Sequence, residues 1–222
     1  MHKTLFLASV CLLMLSLAFS AEAATLSYSD DIPLSRLAWT SSVLLPKFDP
    51  SKGILNSATF TLDGHIEAFV KYENKSLDPA TISVDLNTLM SLQRPDSSNI
   101  VQISPLIQVA DMVPAYDGTL DFDGDSGETY DDIILDVSNN YAITSPSDLA
   151  LFAGLGSITL PVVTTGRSSF SGGGNLVLQY NTYASAAATV IYDYTPVPEP
   201  SGIIAMLAGL TGLAGVVARR RK

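Results

Sequence analysis

The sequence predicts an all-β protein, an antiparallel β-sandwich of jelly-roll or Greek-key connectivity, flanked by an N-terminal signal peptide and a C-terminal single transmembrane helix. Three observations predict it. Apolar residues along the body recur with a period of two rather than the roughly 3.6 of a helix. The runs are short and separated by clusters of Gly, Pro, Asn, Asp and Ser. Long uninterrupted apolar stretches are confined to the two ends of the chain.

At the N-terminal end, Lys3 supplies a positive charge, Leu5 to Phe19 form an apolar core, and Ala21-Glu22-Ala23 gives the small-x-small pattern read by signal peptidase. Residues 1–23 are therefore expected to be a cleaved export signal. Cys11 lies inside that core after Val10, where a lipoprotein signal needs a small residue, so lipidation is not expected. It is also the one cysteine of the chain. A mature body without cysteine has no disulfide, thiolate nucleophile or cysteine-ligated metal.

Residues 24–195 form the predicted sandwich domain, about the size at which a single core is stable without cross-links. In Ile66-Glu67-Ala68-Phe69-Val70-Lys71-Tyr72-Glu73, the even positions suit a core while Glu67, Lys71 and Glu73 suit water. The same alternation marks 58–62, 82–86, 176–180 and 189–194 as strands. Turn residues punctuate them at 49–53, 63–64, 74–79, 117–118 and 172–175. Asp63-Gly64 reads as a two-residue hairpin turn, pairing 54–62 with 66–73 as neighbours. The run Arg36 to Leu45 reads as a strand containing Trp39, the only tryptophan, as a packing aromatic. The small residues of Tyr183-Ala184-Ser185-Ala186-Ala187-Ala188 suit close sheet packing.

The chain carries 22 acidic and 12 basic residues, a net charge of −10. Setting aside the residues of the two end segments leaves 20 acids and 7 bases, so the body is more acidic still. Such a surface repels nucleic acids and anionic polymers, suits an exported soluble domain and attracts divalent cations.

At the C-terminal end, residues 196–222 hold three parts in order: Val197-Pro198-Glu199-Pro200, an apolar span over 201–218, and the basic stop Arg219-Arg220-Arg221-Lys222. Eighteen helical residues rise about 27 Å, against a hydrocarbon core of about 30 Å. The basic cluster stays on the cytoplasmic side, which places the body across the membrane. Gly202, Gly209, Gly212 and Gly215 give the span a small-residue surface, which suits close helix approach or simply reflects the tolerance of membrane helices for Gly. This arrangement resembles the PEP-CTERM sorting domain, with Pro198-Glu199-Pro200 as its motif. The resemblance implies recognition by exosortase, a membrane-embedded cysteine transpeptidase of Gram-negative bacteria, which would cut near the motif. The alternative is a plain C-terminal anchor with a Pro-rich linker.

A second resemblance covers the body. Leu45 to Leu55, Tyr116 to Gly124 with Ser126-Gly127, and Gly174-Asn175-Leu176 are similar to the choice-of-anchor E domain. It implies an exported surface module and supplies no catalytic residues.

One constellation suggests chemistry. Asp121, Asp123 and Asp125 take positions 1, 3 and 5 of a calcium loop, with Asp131 or Asp132 able to complete the donors. Ser126 stands where an EF-hand wants Gly, and Asp132 where it wants Glu, so the expectation is a non-EF-hand Ca²⁺ site or, alternatively, carboxylates splayed into water. No other cofactor is expected. Enzymatic readings find little: His65 is the sole histidine beyond the signal segment, no Gly-x-Ser-x-Gly elbow is present, and Gly172-Gly173-Gly174 lacks the Lys-Ser/Thr of a phosphate loop. Two function classes remain. The first is a non-catalytic exported protein, sorted to the envelope or into exopolysaccharide and contributing to matrix or biofilm structure. The second is a carbohydrate-binding or adhesive lectin-like module using Tyr28, Tyr116, Tyr130 or Tyr141 as stacking platforms.

Overall fold

The computed structural model describes residues 23–197 together with Gly209 and Arg219. The remainder of the signal segment and of the 198–222 tail lies outside the described residues. The described residues form nine strands: β1 (Ala24–Arg36), β2 (Thr40–Pro46), β3 (Gly53–Asn74), β4 (Ala80–Gln93), β5 (Asn99–Ile103), β6 (Leu106–Val113), β7 (Gly127–Ile143), β8 (Ser157–Ser171) and β9 (Leu176–Pro196). Within residues 23–197, a 3-10 turn (Pro50–Lys52) and a one-turn helix α1 (Pro146–Leu149) lie between the strands. Among the described residues no helix is long and apolar enough to cross a membrane.

All strand pairs are antiparallel, and they form two sheets. One has the order β1-β9-β3-β7 and the other β2-β8-β4-β5, with β6 beside β5 on the same edge of β4. First and last strands lie together, second and penultimate strands lie together, and the chain crosses between sheets at β1–β2, β2–β3, β3–β4, β6–β7, β7–β8 and β8–β9. This is the strand order of a jelly roll.

The period-two pattern builds the core directly. Along β3, Ala58, Phe60, Leu62, Ile66, Ala68, Val70 and Tyr72 are buried, and they meet Ile82, Val84, Met90 and Leu92 of β4 among the core of the opposite sheet. Aromatic pairs fill one end of the sandwich: Phe60 with Phe152 at 4.7 Å and Phe48 with Tyr194 at 5.1 Å between ring centroids. Each fully buried large side chain contributes about 1.5–3 kcal/mol. Ala184, Ala186 and Ala188 of β9 are buried, in keeping with the close packing expected of that segment.

Two local readings are corrected. Asp63-Gly64 is no hairpin turn: β3 runs through it without a break, with Asp63 opposite Ala187 and Ser138 and Gly64 opposite Ala186 and Val137. Gly64 serves a different purpose. A Cβ there would stand 2.5 Å from Ile103 Cδ1 and 3.3 Å from Met90 Sδ, so glycine lets the facing sheet approach. The run Arg36 to Leu45 is likewise not one strand. Ala38 adopts a φ of 71°, the chain turns at 37–39, and β2 begins at Thr40. Trp39 sits in that corner, half-buried, with Nε1 donating to the carbonyl of Ala184 at 3.2 Å and its own carbonyl accepting from the Thr164 N–H at 2.9 Å. It is a packing residue.

Candidate functional site

The sorting residues meet the body at one end of the sandwich. β9 pairs to its last residue, with Pro196 opposite Gly53, and the Val197 N–H donates to the carbonyl of Lys52 at 3.1 Å. The turn holding Lys52 is fixed by Asp49, whose carboxylate accepts from the Ser51 N–H at 2.9 Å; that bond holds the Asp49 pKa below its ordinary value. Val197 is exposed, whereas Pro198, Glu199 and Pro200 lie outside the described residues. Arg219 is exposed, and Arg220, Arg221 and Lys222 again lie outside. At the other terminus Ala23 is exposed and Ala21 is outside the described residues; β1 starts at Ala24, opposite Tyr194 of β9. The predicted signal-cleavage point and the start of the sorting motif thus leave the body side by side.

The acidic segment lies at the opposite end and is organised by a residue that the sequence pattern assigns to water. Glu73, at the end of β3, is fully buried. Its Oε2 accepts from the Phe122 N–H at 2.8 Å, and its Oε1 accepts from the Ser126 hydroxyl. Thr129 Oγ1 donates to the Phe122 carbonyl at 2.8 Å, and Gly127 leaves room for the carboxyl: a Cβ there would lie 2.5 Å from Glu73 Oε2. Phe122 takes a φ of 60° to make this turn. Next door, Asn74 Nδ2 donates to the carbonyls of Pro114 at 2.7 Å and Asp78 at 3.0 Å. Glu73 and Asn74 therefore fasten both loops, 74–79 and 114–126, to the sheet.

That arrangement leaves the candidate calcium donors apart. Asp121, Asp123 and Asp125 are exposed, and Asp121 Oδ1 is occupied by the Asp123 N–H at 3.1 Å. Asp131 pairs with Lys71 at 3.3 Å, and Asp132, at φ 59°, occupies a bulge of β7 opposite β3. Among the described residues no three His, Cys, Asp or Glu side chains converge in a metal-holding group. The spacing 1, 3, 5 converges on a cation only when the loop wraps around it; here the loop wraps around Glu73.

The tyrosines divide by burial. Tyr28 packs edge-on to Tyr192 at 6.2 Å, and Tyr116 lies under Lys75 Nζ at 5.9 Å. Tyr130 and Tyr72 both donate to Asp111 Oδ2, a clamp that joins β7 and β3 of one sheet to β6 of the other. Burial first, then the Asp111 hydrogen bond, raises the Tyr72 pKa; for Tyr130 the Asp111 hydrogen bond comes first. Only Tyr141 of the four candidate platforms is broadly exposed.

The outer face of the β1-β9-β3-β7 sheet carries two adjoining grooves that the sequence did not reveal. One, of about 570 Å³, is lined by Asp31, Asp63, His65, Asp136 and Ser185; the other, of about 630 Å³, by Glu67, Phe69, Asp131, Asp132, Ile134 and Tyr183. His65 sits between them, Nδ1 at 2.6 Å from Asp136 Oδ1 and Nε2 at 3.1 Å from Glu67 Oε1, and these bonds raise its pKa. Asp136, His65 and Ser185 share a row across three strands, but His65 Nε2 is turned to Glu67 rather than to the serine. Ser185 and His65 lie on β9 and β3, each paired along both edges, so the backbone N–H groups around them serve the ladder rather than an oxyanion.

Comparison with known proteins adds one sequence match. The PEP-CTERM protein-sorting motif matches residues 196–222, beginning at the last residue of β9. No curated protein matches the chain. Among solved structures, the chain is similar to that of infectious bursal disease virus Gt strain at 12% identity, with 86% of this chain and 48% of that chain covered and a TM-score of 0.20. It is also similar to the infectious bursal disease virus VP2 subviral particle at 13% identity (80% and 39% covered, TM-score 0.19) and to Turnip Yellow Mosaic Virus at 8% identity (82% and 99% covered, TM-score 0.18). The chain spans about half the length of the first of these. What the findings define is a β-sandwich with a C-terminal sorting motif, which points to an exported, envelope-sorted substrate of exosortase.

Proposed function

We propose that this protein is a non-catalytic, exported surface or matrix protein of a Gram-negative bacterium, delivered by signal peptidase and exosortase to the outer surface and associated there with exopolysaccharide or biofilm. The observation that carries this reading is the sorting motif at 196–222, which starts where the sandwich ends. A strand paired up to Pro196, followed at once in sequence by Val197-Pro198-Glu199-Pro200, sets the motif directly after a stable body, and its two prolines remove backbone donors. The resemblance of the body to choice-of-anchor E domains agrees with a passenger whose role is structural. Replacing Pro198, Glu199 and Pro200 by alanine tests it: the variant should remain in the inner membrane at full length, while the unaltered chain reaches the surface or medium in shortened form. Equal distribution of both would end the proposal.

A second reading, a lectin-like module, is favoured by the paired grooves on the outer sheet face, where Tyr183, Phe69 and Ile134 lie beside Glu67 and Asp136. Aromatic rings stack on sugar faces and carboxylates accept from sugar hydroxyls. Pull-down on neutral polysaccharides that is lost in Tyr183→Ala would favour it over a purely structural role.

A further inference from the structure

We infer that the end of the sandwich carrying Ile54, Leu155 and Val197 rests on the lipid headgroup surface in the membrane-inserted precursor. The inference rests on the sorting-signal reading above and adds which surface of the body meets the membrane.

The length of the connection carries the argument. Val197 is held to the body by its hydrogen bond to Lys52, and the apolar segment begins at Ser201. Four residue steps, two of them into proline, span at most about 12–14 Å. The headgroup layer takes up about 5–8 Å of that on each side of the bilayer. The end face therefore stands within about 9 Å of the headgroups, and any tilt of the body brings its rim closer.

The chemistry of the two ends agrees with this orientation. At the near end, hydrogen bonds from Lys47 N to the Gly156 carbonyl and from Val197 N to the Lys52 carbonyl gather the 46–53, 153–157 and 195–197 segments. They present Leu155, 84% exposed, Ile54, 71%, and Val197, 58%. Charges there nearly balance: Lys47, Lys52 and Arg94 against Asp49, Asp96, Asp148 and Asp193, with Asp49 held by the Ser51 N–H and Asp148 by Arg94 at 3.7 Å. The far end carries Asp78, Asp117, Asp121, Asp123, Asp125 and Glu128 with Lys75. Apolar residues over balanced charge suit the membrane interface, and a concentrated negative end is disfavoured beside anionic lipid.

The test uses residues 24–222, the chain after signal cleavage and free of cysteine, inserted in phosphatidylcholine vesicles without exosortase. Single cysteines at Leu155→Cys, Ile54→Cys and, as the far-end control, Leu120→Cys carry an environment-sensitive dye, read against a headgroup-attached quencher. Flotation after alkaline carbonate reports insertion. The expected result is an inserted chain whose labels at 155 and 54 are quenched about twofold or more relative to 120. Insertion with equal quenching at all three sites would overturn the inference and leave the sorting reading intact. A chain extracted by carbonate would overturn the membrane-anchored precursor and the inference together.

Discussion

Glu73 is the side chain on which the far end of the sandwich depends most, and truncating it is the sharpest test of the packing described here. Glu73→Ala removes the acceptor from the Phe122 N–H and the Ser126 hydroxyl; the Phe122 N–H then has no partner, while Ser126 Oγ keeps the Asp117 N–H at 3.2 Å. An orphaned buried polar group costs about 1–3 kcal/mol, and the small void left behind adds about 1 kcal/mol. The sum is about 2–4 kcal/mol. For a domain of this size each kcal/mol lowers the Tm by about 2–4 °C, so a fall of about 10 °C is expected. Glu73→Gln should cost about 1 kcal/mol, because its carbonyl can still accept from Phe122 while its amide donates to the Ser126 hydroxyl. Urea unfolding of residues 24–197, followed through Trp39 fluorescence, measures both, and limited proteolysis within 114–126 should rise in the alanine variant alone. A Glu73→Ala body within about 1 kcal/mol of the unaltered one would refute the reasoning.

Other perturbations follow from the same geometry. Gly64→Ala should destabilise by about 1–3 kcal/mol in urea unfolding, since its methyl meets Ile103 and Met90 in a closed core. Tyr72→Phe should cost about 1–2 kcal/mol by taking one donor from the Asp111 clamp, while Tyr141→Phe, on an exposed ring, should cost nothing measurable. The raised pKa of His65 means that its protonated form is favoured in the fold. Its stabilisation is therefore complete below the unfolded value of about 6.5 and is lost as pH rises through the higher folded value. Melts of His65→Gln against the unaltered body should differ most at mildly acidic pH and converge at alkaline pH. Millimolar calcium should leave the melting temperature unchanged, because the loop donors are turned to water and to Lys71; a rise would show that the loop closes around the ion.

The strands were legible in the sequence because half-buried sheets write themselves as alternation: 58–62, 66–73, 82–86, 176–180 and 189–194 all fall within strands. Asp63-Gly64 misled because a turn glycine and a close-approach glycine look alike. What separates them is Ile103 and Met90 on the facing sheet, remote in the chain. The break at Ala38 and Trp39 is set by tertiary bonds to Thr164 and Ala184 and left no local signal. The acidic spacing of 121–125 was visible, but the group that shapes the loop is Glu73, 49 residues before Phe122. An alternation rule places Glu73 in water; only the loop folding over it through Ser126 and Gly127 buries it. The division of tyrosines into packed and exposed, and the grooves around His65 and Tyr183, depend likewise on three strands meeting across the sheet. The sorting motif, by contrast, is contiguous and was readable in full.

On the proposed function, the tail directs the body to a sorting peptidase that cuts beside it. Mass spectrometry of the C-terminus of the protein recovered from the surface or medium of an exosortase-bearing host tests this most directly. The expected terminus lies within or just beyond Val197-Pro198-Glu199-Pro200, with the apolar span absent. A surface protein still ending in Arg219-Arg220-Arg221-Lys222 would contradict it.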